Sequence, residues 1–385
     1  MDHTEKNLNY AVVLGDWHFN SLGVVRSLGE AGVPVYFLNF SDFSYAENSK
    51  YTKHTYRVTT EDDVMQTLGT IAQAHSGKGV LFPCSDAAAL MLDRMHEALQ
   101  AHFIVPHAAS HLEEYMEKDR MCRLACEAGF RVPDSLVVYE ETLLSLAQKA
   151  YPVILKPLAS VDGMKADIRI CKTGAEAAET ARSLFDAGYQ RLLAQQFVAS
   201  DDEKMTEYIG CKVKGEPVLL FGQLEKIREY PIHRGSTSFA RLTEAITYID
   251  PQALDRFLDG VGFEGLFDLE IKVADDKAWF IEINFRNGAP AYAYTAAGFN
   301  IPYAWFCKMT GLPCPEIGIR PLLLMSERDD LNHVTGKSIS VFRWLKDVRQ
   351  TDVFMVFNRQ DSAPFRKAYN TLADLLVRVI GRKLR

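Results

Sequence analysis

A chain of 385 residues, 48% hydrophobic and 24% charged, is long enough for two or three domains and has the composition of an ordinary soluble globular protein. Its net charge of −7 argues against nucleic acid as a main partner, since phosphate binding calls for a basic face. Seven thinly spread cysteines do not make a disulfide framework and fit a reducing cytoplasm.

The opening residues, Met1 to Asn9, are polar, so no secretory leader is expected, and no apolar run approaches the ~18 residues of a membrane span. Over residues 1–112 the strand-like runs "YAVVLGD", "PVYFLNF", "GVLFPCSD" and "AHFIVP" alternate with helical stretches, predicting an α/β domain with a parallel, doubly wound sheet. The first turn lacks GxGxxG, and Trp17 and His18 would crowd a pyrophosphate, which disfavours a nicotinamide cofactor. Ligands of such sheets bind beyond the carboxyl ends of the strands. Asp16, Asn20, Ser85 and Asp86 therefore line a candidate substrate cleft.

The segment "EEYMEKDRMCRLACEAGFRVPDS" reads as a helix stopped at Gly129, with a boundary at Pro133. Cys122 and Cys126, with no His or Cys at metal spacing, read as buried small apolar side chains. The strand "PVILKP" carries Lys156 just before the loop "LASVDGMKADIRI". A strand-end lysine beside backbone N–H groups is a workable phosphate grip, although such a lysine taken alone is more often a surface residue. "RLLAQQFVAS" reads as a strand leading into a hinge at Gln196 to Val198. "TEYIGCKVKGEPVLLFGQLEKIREYP" reads as a long hairpin turning at "KGEP", whose alternation sets Lys226 and Arg228 on one side.

The most informative stretch is "LFDLEIKVADDKAWFIEINFR", two alternating segments flanking a polar turn. A turn centred on Asp276 pairs Val273 with Trp279, Ile271 with Ile281, Leu269 with Ile283 and Phe267 with Phe285. The same register sets Glu270 opposite Glu282 and Asp268 opposite Asn284. Like charges directly opposite destabilise a sheet. Two readings follow: a solvated face whose acids repel a little, or a cluster of oxygen donors that suits Mg2+, since it has neither His nor Cys.

In this order the pieces resemble the ATP-grasp superfamily, specifically its carboxylate–amine ligases of the D-aspartate ligase-like and carbamoyl-phosphate-synthase-like branch, over nearly the whole chain to about Pro313. The resemblance implies an N-terminal Rossmann-like domain (1–112), a central helix and small lid (113–197), a C-terminal α+β domain built on an antiparallel sheet (198–316), and an extension (317–385). It implies ATP-binding residues at Lys118 of "MEKDR", Lys156 of "VILKP", Lys165 in the lid loop, and Gln196, Phe197 and Val198, with Gln196 where an acid is usual. "EINFR" stands for the family's "EINPR", which implies that Glu270, Glu282 and Asn284 bind Mg2+, or Mn2+ in its place. Arg286 then lies near the transferred phosphoryl group, and Lys226 and Arg228 face the phosphates or an acyl phosphate.

The activity so implied is ATP-dependent amide formation through an acyl phosphate, with small-molecule carboxylate and amine substrates and release of ADP. Asp268 is either a helper behind the metal or the receiver of the incoming amine, and Thr237 belongs to a small-residue segment, "HRGSTSFARLTE", expected to touch substrate. A nucleotide-binding module without turnover is the alternative. The C-terminal "AYNTLADLLVRVIGRKLR" is amphipathic and basic; it reads as a docked helix or as a contact with an anionic membrane surface, and a homo-oligomer is compatible with all of this.

Overall fold

The computed structural model describes residues 9–108, 112–158, 167–199, 204–232, 236–314 and 316–367. Three sheets organise the chain. The first is parallel and contains β1 (Tyr10–Gly15), β2 (Val35–Asn39), β3 (Thr52–Arg57), β4 (Gly79–Pro83) and β5 (Phe103–Ile104) in the order β3-β2-β1-β4-β5. β1, β2 and β4 are buried along their whole length, as expected of parallel strands covered on both faces. The order reverses between β1 and β4, and the crevice at their carboxyl ends holds Asn20, on α1 (Phe19–Glu30), and Asp86, which opens α2 (Asp86–Arg94).

A helix, α3 (Lys118–Ala128), follows and is closed by Gly129 at φ 105°, the left-handed position that glycine takes without steric cost. Its buried side is Met121, Cys122, Ala125 and Ala128. Cys126 is exposed, correcting the reading that buried both cysteines: the packed stripe of this helix is narrow, and Cys126 falls beyond its edge. The second sheet is small and antiparallel, ordered β6-β9-β7-β8 from β6 (Ser135–Val138), β7 (Val153–Pro157), β8 (Arg169–Cys171) and β9 (Leu192–Gln196). With α4 (Gly174–Asp186) it encloses a core of its own.

The third sheet has eight strands. Its centre is β10 (Lys204–Lys212), flanked on one side by β12 (Gln223–Tyr230) and then β13 (Ser236–Thr243), and on the other by β14 (Gly265–Ala274) and β15 (Lys277–Asn284); the short β11 (Leu219–Leu220) pairs with β10. One face of β14 and β15 packs Phe267, Leu269, Ile271, Phe280, Ile283 and Phe285 against α3 and against Leu254, Phe257 and Leu258 of α5 (Pro251–Val261). The other face carries the polar residues of the candidate site.

Residues after 317 continue this sheet: β16 (Leu322–Met325) pairs with β13, and β17 (Val353–Phe354) pairs with β16. Between them lie α8 (Glu327–Thr335) and α9 (Val341–Gln350), numbered after α6 (Ala291–Ala297) and α7 (Ile301–Thr310). The parallel and large sheets meet through α1, buried from Phe19 to Leu28 against α6 and α7, with Trp305 edge-on to Phe82 at 5.2 Å. Among the described residues no helix is long and apolar enough to cross a membrane. Lys165 and residues 233–235 and 368–385, hence the lid lysine, part of the substrate segment and the basic tail, lie outside the described residues.

Candidate active site

The hairpin of β14 and β15 places Asp268 opposite Asn284, Leu269 opposite Ile283 and Glu270 opposite Glu282, the register expected from the alternation. Nearer the tip the expected register is corrected by one residue: Ile271 pairs with Phe280, Lys272 with Trp279 and Val273 with Ala278. The cause is the turn. Asp275 and Asp276 both take positive φ (50° and 54°) and close a two-residue hairpin, while a bulge after Glu270 restores the register before the acids. Phe280 thereby takes the buried place that alternation gave to Ile281.

Around these acids the sheet gathers further charges. Lys226 of β12 lies 3.1 Å from Glu270 and 2.9 Å from Glu207 of β10, a residue that pairs directly with Glu270 in the ladder. Glu207 also accepts a 2.6 Å hydrogen bond from the Thr237 hydroxyl. Arg286, just past β15, donates to Asp86 at 3.1 Å and reaches Asp268 at 3.5 Å, joining the parallel sheet's crevice to the large sheet. Asn20 completes that junction by donating to the carbonyls of Cys84 and Asn287 and accepting from the Asn287 amide. Ser85 caps α2. Glu207 Oε2 and Asp268 Oδ1 are buried oxygens with no hydrogen-bond donor. Gly288 keeps the wall beside Asp268 open: a Cβ there would sit 3.0 Å from the Asp268 Cγ and 2.6 Å from Ile209.

Electrostatics follow from this crowding. Burial, reinforced by Glu282 and Glu207 against the pull of Lys226, pushes the Glu270 carboxyl up to about 7. Burial and then Glu207 raise Asp268 well above the usual carboxylate range. Burial alone would lower Lys226, but Glu207 and Glu270 outweigh it and hold its pKa well above the ordinary value. Too many buried acids for the cations present is the condition a divalent ion relieves. Glu270, Glu282 and the Asn284 amide oxygen are hard donors that fit Mg2+, although among the described residues no three His, Cys, Asp or Glu side chains form a ready-made metal cluster.

Arg228 does not share this site. The β12–β13 ladder is irregular between Lys226 and Arg228, which breaks the alternation expected to align them. Arg228 instead forms a fork on Asp330 of α8 (2.9 and 2.8 Å) and reaches Asp347 of α9 at 2.6 Å.

The small sheet touches the large one through its hinge. Lys156 is buried and donates to Gln195 at 3.0 Å, while Lys118, at the start of α3, reaches the Leu158 carbonyl at 3.5 Å. Of the hinge residues, Gln196 is exposed, Val198 is buried, and the Phe197 ring lies 4.8 Å from the ammonium of Lys272, on β14 two residues beyond Glu270. Glu207 and Lys272 were not singled out in the sequence. The available signal was Glu207 as the one acid of β10, and Lys272 continuing the period-two row of Asp268 and Glu270 on β14, which marks polar positions on a buried sheet without saying what they face.

Neither a protein-family model nor a curated protein matches the sequence. Solved structures do. The chain is similar to an N5-carboxyaminoimidazole synthetase from Staphylococcus aureus (TM-score 0.65, 15% identity, 88% of each chain covered). It is similar to an L-amino acid ligase from Bacillus licheniformis (TM-score 0.61, 15% identity, 83% of this chain and 80% of that one). A third is the biotin carboxylase domain of Hydrogenobacter thermophilus 2-oxoglutarate carboxylase, in complex with MgADP and bicarbonate (TM-score 0.63, 16% identity, 82% and 74%). At this identity the likeness concerns the fold, and it covers most of the chain: the chain has the ATP-grasp fold.

Proposed function

We propose that this protein is an ATP- and Mg2+-dependent ligase that joins a carboxylate to an amine through an acyl phosphate, releasing ADP and phosphate. The observation that carries the reading is Glu270 facing Glu282 on the polar side of the large sheet, with Lys226 and Arg286 beside them at the crevice of the parallel sheet. Neighbours of the same fold, solved with ADP or with MgADP and bicarbonate, support a nucleotide as the ligand.

A carboxylate does not acylate an amine at neutral pH, because the anion repels nucleophiles and oxide is a poor leaving group. In the first step proposed, a carboxylate oxygen attacks the γ-phosphorus of ATP and the bond to the β-phosphate oxygen breaks, leaving ADP. The amine nitrogen then attacks the acyl carbon, the carbon–oxygen bond to phosphate breaks, and the amine gives up a proton. Glu270, Glu282 and Asn284 would hold Mg2+, which neutralises charge on the triphosphate when bound. Lys156 of the small sheet and Lys118 of α3 would approach the phosphates. Arg286, oriented by Asp86, provides fixed positive charge where the phosphoryl group moves, a contribution of about 3 kcal/mol for a well-placed donor. Lys226, paired with both Glu207 and Glu270, offsets part of their charge. Closure of the small sheet over the intermediate would exclude water.

Incubation of the protein with ATP, Mg2+ and pooled carboxylates and amines, followed by mass spectrometry, tests the proposal. Condensed product with ADP supports it; AMP with pyrophosphate rejects the acyl-phosphate route. Nucleotide binding without product across all pools favours the alternative of a module without turnover.

A further inference from the structure

The C-terminal extension presents a surface that nucleotide chemistry does not use. Ser340 caps α9 through the backbone N–H of Arg343. The helix then turns Asp347, its one acid, inward, where Arg228 and Arg343 neutralise it. Trp344 and Val348 are half-buried on the same inner side. On the outer side Val341, Phe342 and Leu345 are 53%, 86% and 40% exposed, and Lys346 and Arg349 are exposed alongside them. Phe342 and Lys346, like Leu345 and Arg349, are four residues apart and so share a face. The outer face of α9 is therefore apolar and cationic at once, while its inner face is fixed by the ion pair of Asp347 with Arg228 of β12, the strand of Lys226.

We propose that this face of α9 docks on the surface of an anionic phospholipid bilayer. An exposed aromatic ring flanked by cations, with no anion on the same face, matches the headgroup boundary of such a membrane. Charge distribution points the same way. Residues 341–367 hold six Lys and Arg against three Asp, a net +3 in a chain of net −7. Of those three acids, Asp347 and Asp361 are spent on internal ion pairs. A face with such an excess of cations is drawn towards an anionic surface. A second copy of the chain fits less well: three apolar side chains on one helix face fall short of the ~800 Å² per partner of a stable dimer, and the facing cations would repel.

Co-sedimentation of the full chain with phosphatidylcholine vesicles, with and without phosphatidylglycerol, tests this. The protein should pellet only with the phosphatidylglycerol vesicles, less so in high salt, and F342S/L345S should bind about tenfold more weakly or worse while keeping the wild-type melting temperature. K346E/R349E should lose binding as well. Failure of the wild type to pellet, equal pelleting with neutral vesicles, or undiminished binding by F342S/L345S would each overturn the proposal. So would a dimer in sedimentation equilibrium that the same double substitution dissolves, because the face would then belong to a second copy.

Discussion

Glu270 and Glu282 stand directly opposite each other on adjacent antiparallel strands, and the nearest balancing charge is the Lys226 ammonium, 3.1 Å from Glu270. Two carboxylates in this relation disfavour the metal-free fold and favour any cation that binds between them.

The pH dependence follows in sign. The folded-state value of Glu270, about 7, lies above its ordinary 4.5, so the folded protein binds this proton more tightly than the unfolded chain. Metal-free stability attributable to this group therefore falls as pH rises from about 4.5 through about 7. Thermal melts in chelator should decline across that window, Glu270→Gln should flatten the decline, and the stabilisation given by added Mg2+ should grow over the same range.

Removing Lys226 takes from Glu207 and Glu270 the cation they share. Lys226→Met should cost about 3–5 kcal/mol in urea denaturation of the metal-free protein. Mg2+ should restore more stability to this variant than it adds to wild type.

Arg26 of α1 and Asp361, 335 residues apart, form a 2.9 Å ion pair with solvent excluded from both side chains, and Arg26 also donates to the carbonyls of Met355 and Val356. Asp361→Ala leaves that guanidinium uncompensated and should destabilise the protein by about 3–5 kcal/mol. Because the pair fastens the extension to the parallel domain, limited proteolysis should cut the variant after β16 well before wild type.

Arg228→Met separates two roles for this residue. With its fork on Asp330 and Asp347, the substitution should lower the melting temperature while leaving Mg·ATP affinity within about threefold of wild type. A large loss of affinity with stability intact would place Arg228 at the phosphates after all.

What could be read in the sequence was whatever a period of two imposes. The pairing of Glu270 with Glu282 and of Asp268 with Asn284 is legible because one residue of slip would turn Leu269 and Ile283 away from the core. The bulge after Glu270 and the irregularity beside Arg228 are not legible, since each satisfies a local turn or ladder without changing composition. Glu207 enters the site only because β10 lies next to β14, an adjacency across some sixty residues that no local pattern encodes. Asn20 and Asp86 were legible for a topological reason: strand order fixes where a doubly wound sheet opens. The extension was least legible, because β17 is two residues long and Arg26 meets Asp361 across 335 residues of sequence.

In the proposed mechanism Glu270, Glu282 and Asn284 hold the divalent ion through which ATP is bound. Isothermal titration of a non-hydrolysable ATP analogue, with and without Mg2+, into wild type and Glu282→Ala tests it most directly. Binding to wild type should require Mg2+, and the substitution should weaken it by at least about tenfold. Equal affinity in the two proteins, or binding indifferent to Mg2+, would contradict it.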